Sequence, residues 1–386
     1  MRTICVVTGS RAEYGLLSRL MRMIKDSQDT QLQVIATNMH LSPKFGNTYQ
    51  EIEKDGFPID RKIPIIDEQD RDDAVATVKS MARALSGFAD AYNDLKPDLV
   101  VVLGDRYEIL AAAEAALLER IPIAHIHGGE VTEGAYDDAI RHSITKMSHL
   151  HFAATEAYRK RIIQLGEQPE RVFYTGSLGV ENIKRFQLME KTEIEREIGF
   201  KIDDRTILVT YHPVTLGNRS AKDDIEDFIA ALDTRKDLRV IFTMPNSDTG
   251  GQTIVDAVNS FVEANPHRAR AFKSLGVLKY LSVMRQVAAV VGNSSSGLLE
   301  VPSFGIPTLN IGDRQRGRIA AASVWNCAPD KVSVLSGLDK VLSGEFRDMA
   351  RTVRNPYEKE NTALEIFKVI STYPLEQLRQ KHFYDL

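Results

Sequence analysis

At 386 residues the chain exceeds what one hydrophobic core organises and suits two domains. Its composition, 43% hydrophobic and 26% charged with a net charge of -4, is that of an ordinary globular protein and argues against a general nucleic-acid or membrane-surface binder. Two cysteines, Cys5 and Cys327, write neither a disulfide framework nor a zinc cluster into the chain. The apolar run that starts at Ile4 is too short for a signal-peptide core, and no segment has the apolar length to span a bilayer, so the expected compartment is the cytoplasm.

Short β-branched runs alternate with amphipathic stretches along the chain. Strands are expected over residues 4–7, 32–36, 99–103, 121–126, 207–210, 240–243, 288–291 and 308–311, with helix-compatible spacing over 111–118, 139–147 and 225–232. Leu99-Val100-Val101-Val102-Leu103 is apolar at consecutive positions, the pattern of a strand covered on both faces of a parallel sheet. Each half repeats one plan: strand, Gly-polar turn, helix, then a strand preceded by Pro. Gly104-Asp105-Arg106 before Ile121-Pro122-Ile123 matches Gly292-Asn293-Ser294 before Ile306-Pro307-Thr308. The fold class is α/β in two lobes, 1–173 and 174–365, joined at the Gly/Ser-rich stretch Tyr174-Thr175-Gly176-Ser177-Leu178-Gly179, with 366–386 as a terminal helix returning to the first lobe.

The most informative segment is Val290-Val291-Gly292-Asn293-Ser294-Ser295-Ser296-Gly297-Leu298-Leu299-Glu300, read as a buried strand, a hydroxyl-rich turn and a helix start. Unpaired N–H groups and the positive end of a macrodipole favour a phosphate there, and Glu300, about one turn into the helix, is placed to accept both hydroxyls of a ribose. The alternative is an ordinary capped helix.

Polar residues just past strand ends line the ligand crevice of an open α/β sheet. Arg11 either contacts phosphate or pairs with Glu13 at a helix start. Asp105 is an N-cap or an active carboxylate. His125 and His127, two apart, share a face if both lie on the strand, a spacing open to a metal although no third ligand is recognisable. Asp137-Asp138 before Arg141-His142 reads equally as a charged helix start or as part of a site. His212, held extended by Pro213, presents its ring from a turn. Of Arg314, Arg316 and Arg318, one at most needs to touch a ligand; the set also reads as a solvated basic loop.

Taken in order, Gly9-Ser10-Arg11-Ala12-Glu13-Tyr14-Gly15, Gly104-Asp105-Arg106, His125-Ile126-His127-Gly128-Gly129-Glu130, Arg141-His142-Ser143-Ile144-Thr145-Lys146, Gly292-Asn293-Ser294-Ser295-Ser296-Gly297 and Gly312-Asp313-Arg314-Gln315 resemble the hydrolysing UDP-N-acetylglucosamine 2-epimerases of bacterial sialic-acid and capsule polysaccharide synthesis, over essentially the whole chain. The resemblance implies two facing Rossmann-like domains of the glycosyltransferase-B type with a cleft between them. It implies UDP contacts from Arg11, His212, Asn246, Ser294, Ser295, Glu300 and Arg314, and a sugar surrounded by Asp105, His127, Glu130, Asp137 and His212. Some relatives carry Glu at the position of His127, in a His-x-Glu-Gly-Gly arrangement, so Asp105 ranks ahead of His127 as a proton-transfer group. The implied reaction turns UDP-N-acetylglucosamine and water into N-acetylmannosamine and UDP through a glycal. It needs no cofactor and no metal, no nucleic acid and no membrane, and a homo-oligomer, dimer or tetramer, is expected. The alternatives are UDP-N,N'-diacetylbacillosamine as substrate, a non-hydrolysing epimerase, a glycosyltransferase of the same architecture, and a nucleotide-sugar sensor.

Overall fold

A computed structural model describes every residue except 68, 70–72, 133–135, 215–218, 246–250 and 379, and describes only the backbone of Arg185. The chain forms two compact units. The first comprises Met1–Glu130, Asp137–Glu181 and Lys359–Leu386, the second Val131–Tyr136 and Asn182–Glu358. The division falls at 181/182 rather than 173/174, and the tail rejoins from 359 rather than 366. Hydrogen bonds explain both differences: Lys359 Nζ donates to Tyr174 O (2.6 Å), Thr362 Oγ1 to Thr175 O (2.7 Å) and Ala363 N to Glu181 Oε2 (2.8 Å), so the Gly/Ser-rich stretch is stitched to the tail.

The first unit is built on seven strands, β1 (Arg2–Thr8), β2 (Thr30–Thr37), β3 (Arg61–Ile63), β4 (Leu99–Leu103), β5 (Ile123–Ile126), β6 (Leu150–Ala153) and β7 (Val172–Tyr174), in the order β3-β2-β1-β4-β5-β6-β7. Every pairing is parallel. Strand side chains alternate between faces, so Ile4 and Val6 join the core of the helices Arg11–Asp26 and Thr362–Thr372, while Cys5 and Val7 join that of Ala74–Leu95 and Tyr107–Leu118. The helix Arg11–Asp26 forms because Leu17, Leu20, Met21 and Ile24 recur at helical spacing on one buried face and Ser10 caps its first turn, accepting from Glu13 N at 3.3 Å. Burial of each such aliphatic side chain is worth about 2 kcal/mol.

The second unit repeats the plan with β8 (Thr206–Thr210), β9 (Arg239–Thr243), β10 (Ala269–Phe272), β11 (Ala289–Gly292), β12 (Thr308–Ile311) and β13 (Val324–Cys327), in the order β10-β9-β8-β11-β12-β13 and again all parallel. Ile207 and Val209 join the core of Ala221–Thr234, Gly251–Ala264 and Lys331–Leu342; Leu208 and Val290 join that of Lys191–Ile198 and Gly276–Gln286. Strand order therefore reverses twice in the same way, between β1 and β4 and between β8 and β11. At such a switch point the flanking connections leave in opposite directions and open a crevice beyond the strand ends. Among the described residues no helix is long and apolar enough to cross a membrane.

Candidate functional site

In the first unit the switch point is framed by the turn after β1 and the turn after β4. Gly9 N donates to Glu13 Oε2 at 2.6 Å, closing a capping arrangement with Ser10 that fixes the turn bearing Arg11. Burial, reinforced by the neighbouring Glu108 carboxylate, holds the Glu13 carboxyl well above the usual range; Arg106 and the Gly9 and Ser10 amides oppose the shift. Arg106 Nε in turn lies 2.8 Å from Glu108 Oε1. His40 supports the turn from below: its Nε2 is 3.0 Å from Thr8 Oγ1 and its Nδ1 2.8 Å from Thr48 Oγ1, and burial pushes its pKa down to about 4, leaving it neutral. Arg11 does not pair with Glu13. Its Nε lies 2.6 Å from Glu51 Oε2, on the short helix Tyr49–Lys54.

Asp105 follows β4 and forms an ion pair with Arg141, whose side chain is only 1% exposed. Asp105 is thereby a fixed carboxylate rather than a helix cap, and the N-cap of the helix Tyr107–Leu118 is Arg106. Asp137 opens the helix Asp137–Met147, which also carries Arg141 one turn later. One helix therefore brings Asp137 and the cation that holds Asp105 into the same unit. The expectation that His125 and His127 share a strand face is corrected. β5 ends at Ile126, and His127 takes a left-handed backbone with φ +66°, an uncommon state for a residue with a side chain. His125 stays fully buried with its Nε2 2.8 Å from Gly104 O and its Nδ1 3.2 Å from Thr145 Oγ1, and burial pushes its pKa down to about 3. His127 instead reaches Glu130, Nδ1 to Oε1 3.2 Å, and its Nε2 has no hydrogen-bond partner among the described residues. Among the described residues no three His, Cys, Asp or Glu side chains are grouped to hold a metal.

In the second unit β8 and β11 end side by side, and Asn293 locks their two turns together. Its Oδ1 accepts from His212 N at 2.7 Å, its Nδ2 donates to His212 O at 2.8 Å, and its own carbonyl accepts from Gln315 Nε2 at 2.8 Å and Arg314 at 3.4 Å. Gly292 has φ +131°, and a Cβ there would strike Thr210 O, so only glycine lets β11 leave the sheet this close to β8. Ser294 and Ser295 are half-exposed just beyond. The expected helix at this turn is shorter than the sequence suggested. Only Ser296–Leu299 is helical, and Glu300 is its C-cap, not a residue one turn inside. A helix of four residues aligns too few peptide dipoles for a macrodipole, so any anion held here depends on local N–H groups, hydroxyls and Arg314. Pro302, two residues past Glu300, lacks the N–H that a continuing helix would use, and the chain goes on as a single tighter turn, Val301–Phe304. Tyr280 donates to Ser296 Oγ at 3.0 Å, bracing the turn. Of the three arginines, Arg316 pairs with Asp313 (3.5 Å) and Arg318 donates to Val131 O (3.0 Å) and Thr132 Oγ1 (3.3 Å), which leaves Arg314 as the one beside the Asn293 turn. Asn246 lies outside the described residues.

Arg11, Asp105, His127, Glu130 and Asp137 thus belong to the first unit and His212, Ser294, Ser295, Glu300 and Arg314 to the second. Glu51, Arg141 and Asn293 are additions that sequence reasoning did not single out as site residues. Arg141 and Asn293 were visible inside motifs, whereas no local signal marks Glu51.

Comparison with known proteins identifies the family. The family model described as UDP-N-acetylglucosamine 2-epimerase matches residues 22–371. The chain is 44% identical, over all of its length and 99% of the relative's, to the GDP/UDP-N,N'-diacetylbacillosamine 2-epimerase (hydrolyzing) of Campylobacter jejuni. It is 39% identical to polysialic acid biosynthesis protein P7 of Escherichia coli, covering all of this chain and 98% of that one. With the UDP-N,N'-diacetylbacillosamine 2-epimerase (hydrolyzing) of Legionella pneumophila it shares 35% identity over 97% of each. The crystal structure of the UDP-GlcNAc 2-epimerase of Neisseria meningitidis superimposes with a TM-score of 0.79 over 96% of this chain and 99% of that one, at 20% identity, and so shares the fold. With these matches spanning nearly its whole length, the chain belongs to the UDP-N-acetylglucosamine 2-epimerase family.

Proposed function

We propose that the chain is a hydrolysing 2-epimerase that takes UDP-N,N'-diacetylbacillosamine and water to the free C2-epimeric sugar and UDP. The C2 proton of such a sugar is not acidified by a carbonyl, so its removal becomes feasible only as the C1–O bond to UDP breaks and positive charge develops on the ring. Arg11, Arg314 and the donors of the Ser294 turn stabilise the departing diphosphate as its charge grows, where preorganised groups help most. One carboxylate takes the C2 proton as UDP departs and leaves a glycal; water adds at C1 while a second, protonated group gives a proton to C2 from the other face, and the centre inverts. Asp105 and Asp137 are the leading pair, with His127, Glu130 and His212 orienting the sugar or relaying protons. Glu300 and Asn246 complete the nucleoside contacts.

The observation that carries the choice of sugar is the 44% identity, end to end, to a protein whose name gives the diacetamido sugar, seconded by the Legionella relative. The sequence alone placed N-acetylglucosamine first. It remains as the second reading, favoured by the 39% identity to the polysialic-acid protein. Incubation in deuterated water with UDP-N,N'-diacetylbacillosamine, its GDP analogue and UDP-N-acetylglucosamine tests the assignment. Free UDP and a free sugar carrying one deuterium at C2, formed fastest from the first substrate, is the expected result. An unlabelled sugar means simple hydrolysis, and a UDP-linked epimer means the non-hydrolysing reaction; either outcome rejects the proposal.

A further inference from the structure

The helix Asp137–Met147 has Asp137 at one end and Arg141, the partner of Asp105, a turn further in. Its other end is seized from far along the chain. Lys381 Nζ donates to Lys146 O at 2.6 Å, Ser148 O at 2.5 Å and Thr145 O at 3.3 Å, carbonyls at and just past the helix C-terminus, where intrahelical partners run out, and it lies 2.8 Å from Glu167 Oε2. Glu167 is itself 2% exposed and also accepts from Lys146 at 2.7 Å and lies 3.0 Å from His151 Nε2. The residues around Lys381 are tied down with it: Tyr384 N donates to Gly166 O at 3.0 Å, and the Lys146 ammonium sits 5.0 Å from the centre of the Phe383 ring. One residue back along the helix from Lys146, Thr145 Oγ1 meets His125 Nδ1, and the far nitrogen of that ring meets the carbonyl of Gly104, the residue before Asp105.

We propose that Lys381 is a positioning residue for the epimerase reaction, holding the helix Asp137–Met147 by its C-terminus so that Asp137, Arg141 and, through Thr145, His125 and Gly104, Asp105 stay in register. The inference rests on the reading of Asp105 and Asp137 as the proton-transfer acids. A lysine with no such duty would stay solvated at the surface, since desolvating an ammonium is costly unless it is paired. Here burial pushes its pKa down to about 8, against the pull of Glu167 and with the help of Lys146 and Arg171. The other titratable groups that face it are His149, pushed down to about 4 by burial, and His151, lowered by burial; Glu167, which burial alone would raise, is held at about 2 by His151 and the two lysines. Near pH 8 Lys381 is therefore the group that changes state. Its ammonium has three donors for three carbonyls and a carboxylate, whereas the neutral amine has two donors and no charge, so the clamp loosens as pH rises through about 8.

The test uses the full chain, the UDP-sugar it turns over best, and the variants Lys381→Met and Lys381→Arg from pH 6.5 to 9.5. Lys381→Met should lower kcat about tenfold or more at pH 7 with KM within about threefold, lose the alkaline fall in kcat that the wild type shows near pH 8, and raise amide exchange over residues 141–147 about tenfold. Lys381→Arg should restore kcat at pH 7 and extend the plateau beyond pH 9, because a guanidinium stays charged there. Wild-type kcat in folded Lys381→Met, or an unshifted alkaline limb in Lys381→Arg, overturns the proposal. Should Lys381→Met not fold, the arginine variant still decides through that limb. Should the wild type turn over none of the sugars, it is the functional reading that has failed, and the exchange rates of the helix, unchanged or quickened, decide the clamp by themselves.

Discussion

The two switch points share a topology and differ in what fills them. Around β1 and β4 the buried groups include charged side chains, Glu13, Glu108 and Arg141, and the imidazoles of His40 and His125, with Arg106 and Asp105 half-buried beside them. Around β8 and β11 the buried polar groups at the strand ends are the neutral Thr210 and Asn293 and the imidazole of His212, with hydroxyls at Ser294, Ser295 and Ser296. A group that moves protons must have its charge state set by its surroundings, which takes buried ions and their partners. A group that cradles a permanent anion needs donors at fixed positions, which amides and hydroxyls supply without the desolvation cost of further ions. Under the proposed reaction, one architecture serves two chemistries by the polarity of what lies behind its turns.

That division of labour makes separable predictions. Asp105→Asn should cost about a thousandfold in kcat while UDP affinity, read by calorimetry, stays at the wild-type value; a variant keeping a tenth of its turnover would remove Asp105 from the chemistry. Asn293→Ala removes two hydrogen bonds to the His212 backbone, each worth about 1 kcal/mol, and should weaken UDP binding about tenfold or more while sparing kcat at saturation. The reverse pattern, intact binding with lost turnover, contradicts the assignment of the second unit. Glu51→Gln frees Arg11 from a partly exposed carboxylate, and UDP should bind about two- to fivefold tighter; unchanged affinity detaches Arg11 from the diphosphate.

The smallest effect concerns stability. Glu13 has its folded pKa raised, so the folded state holds its proton where the unfolded chain releases it. The stability this contributes is present below the ordinary value of 4.5 and is lost as pH rises through the folded value. Urea midpoints at pH 5 and pH 8 should show the wild type losing stability and Glu13→Gln losing less. Equal slopes count against a protonated Glu13.

All eight strands expected from apolar runs are present; 99–103 and 308–311 coincide with β4 and β12, and the bounds of the others differ by one or two residues. Five strands had no such run: β3, β6, β7, β10 and β13. Four of them are sheet edges, and edge strands, covered less, do not need consecutive apolar residues; β13 reads Val-Trp-Asn-Cys and β3 Arg-Lys-Ile. β6, Leu-His-Phe-Ala, was hidden by His151, whose polarity is answered by Glu167 sixteen residues later. Of the candidate residues, Asp105 and Ser294 stand where the sequence places them, in a turn just past a buried strand. What stayed illegible is pairing over distance. Arg11 with Glu51, Asp105 with Arg141 and Lys381 with the end of a helix more than two hundred residues earlier leave no periodic trace, because each is chosen by the folded geometry alone.

The stitching of 359–386 onto the first unit also sets an order of assembly. During synthesis residues 182–358 emerge as an unbroken block with all six strands of their sheet, and can settle while the first unit still lacks the helix Thr362–Thr372 that packs on Arg11–Asp26. The unit that starts being made first is the one finished last. Until then the side of Arg11–Asp26 that Thr362–Thr372 packs against stands uncovered, which makes that interval the moment when a nascent chain has most to gain from a chaperone.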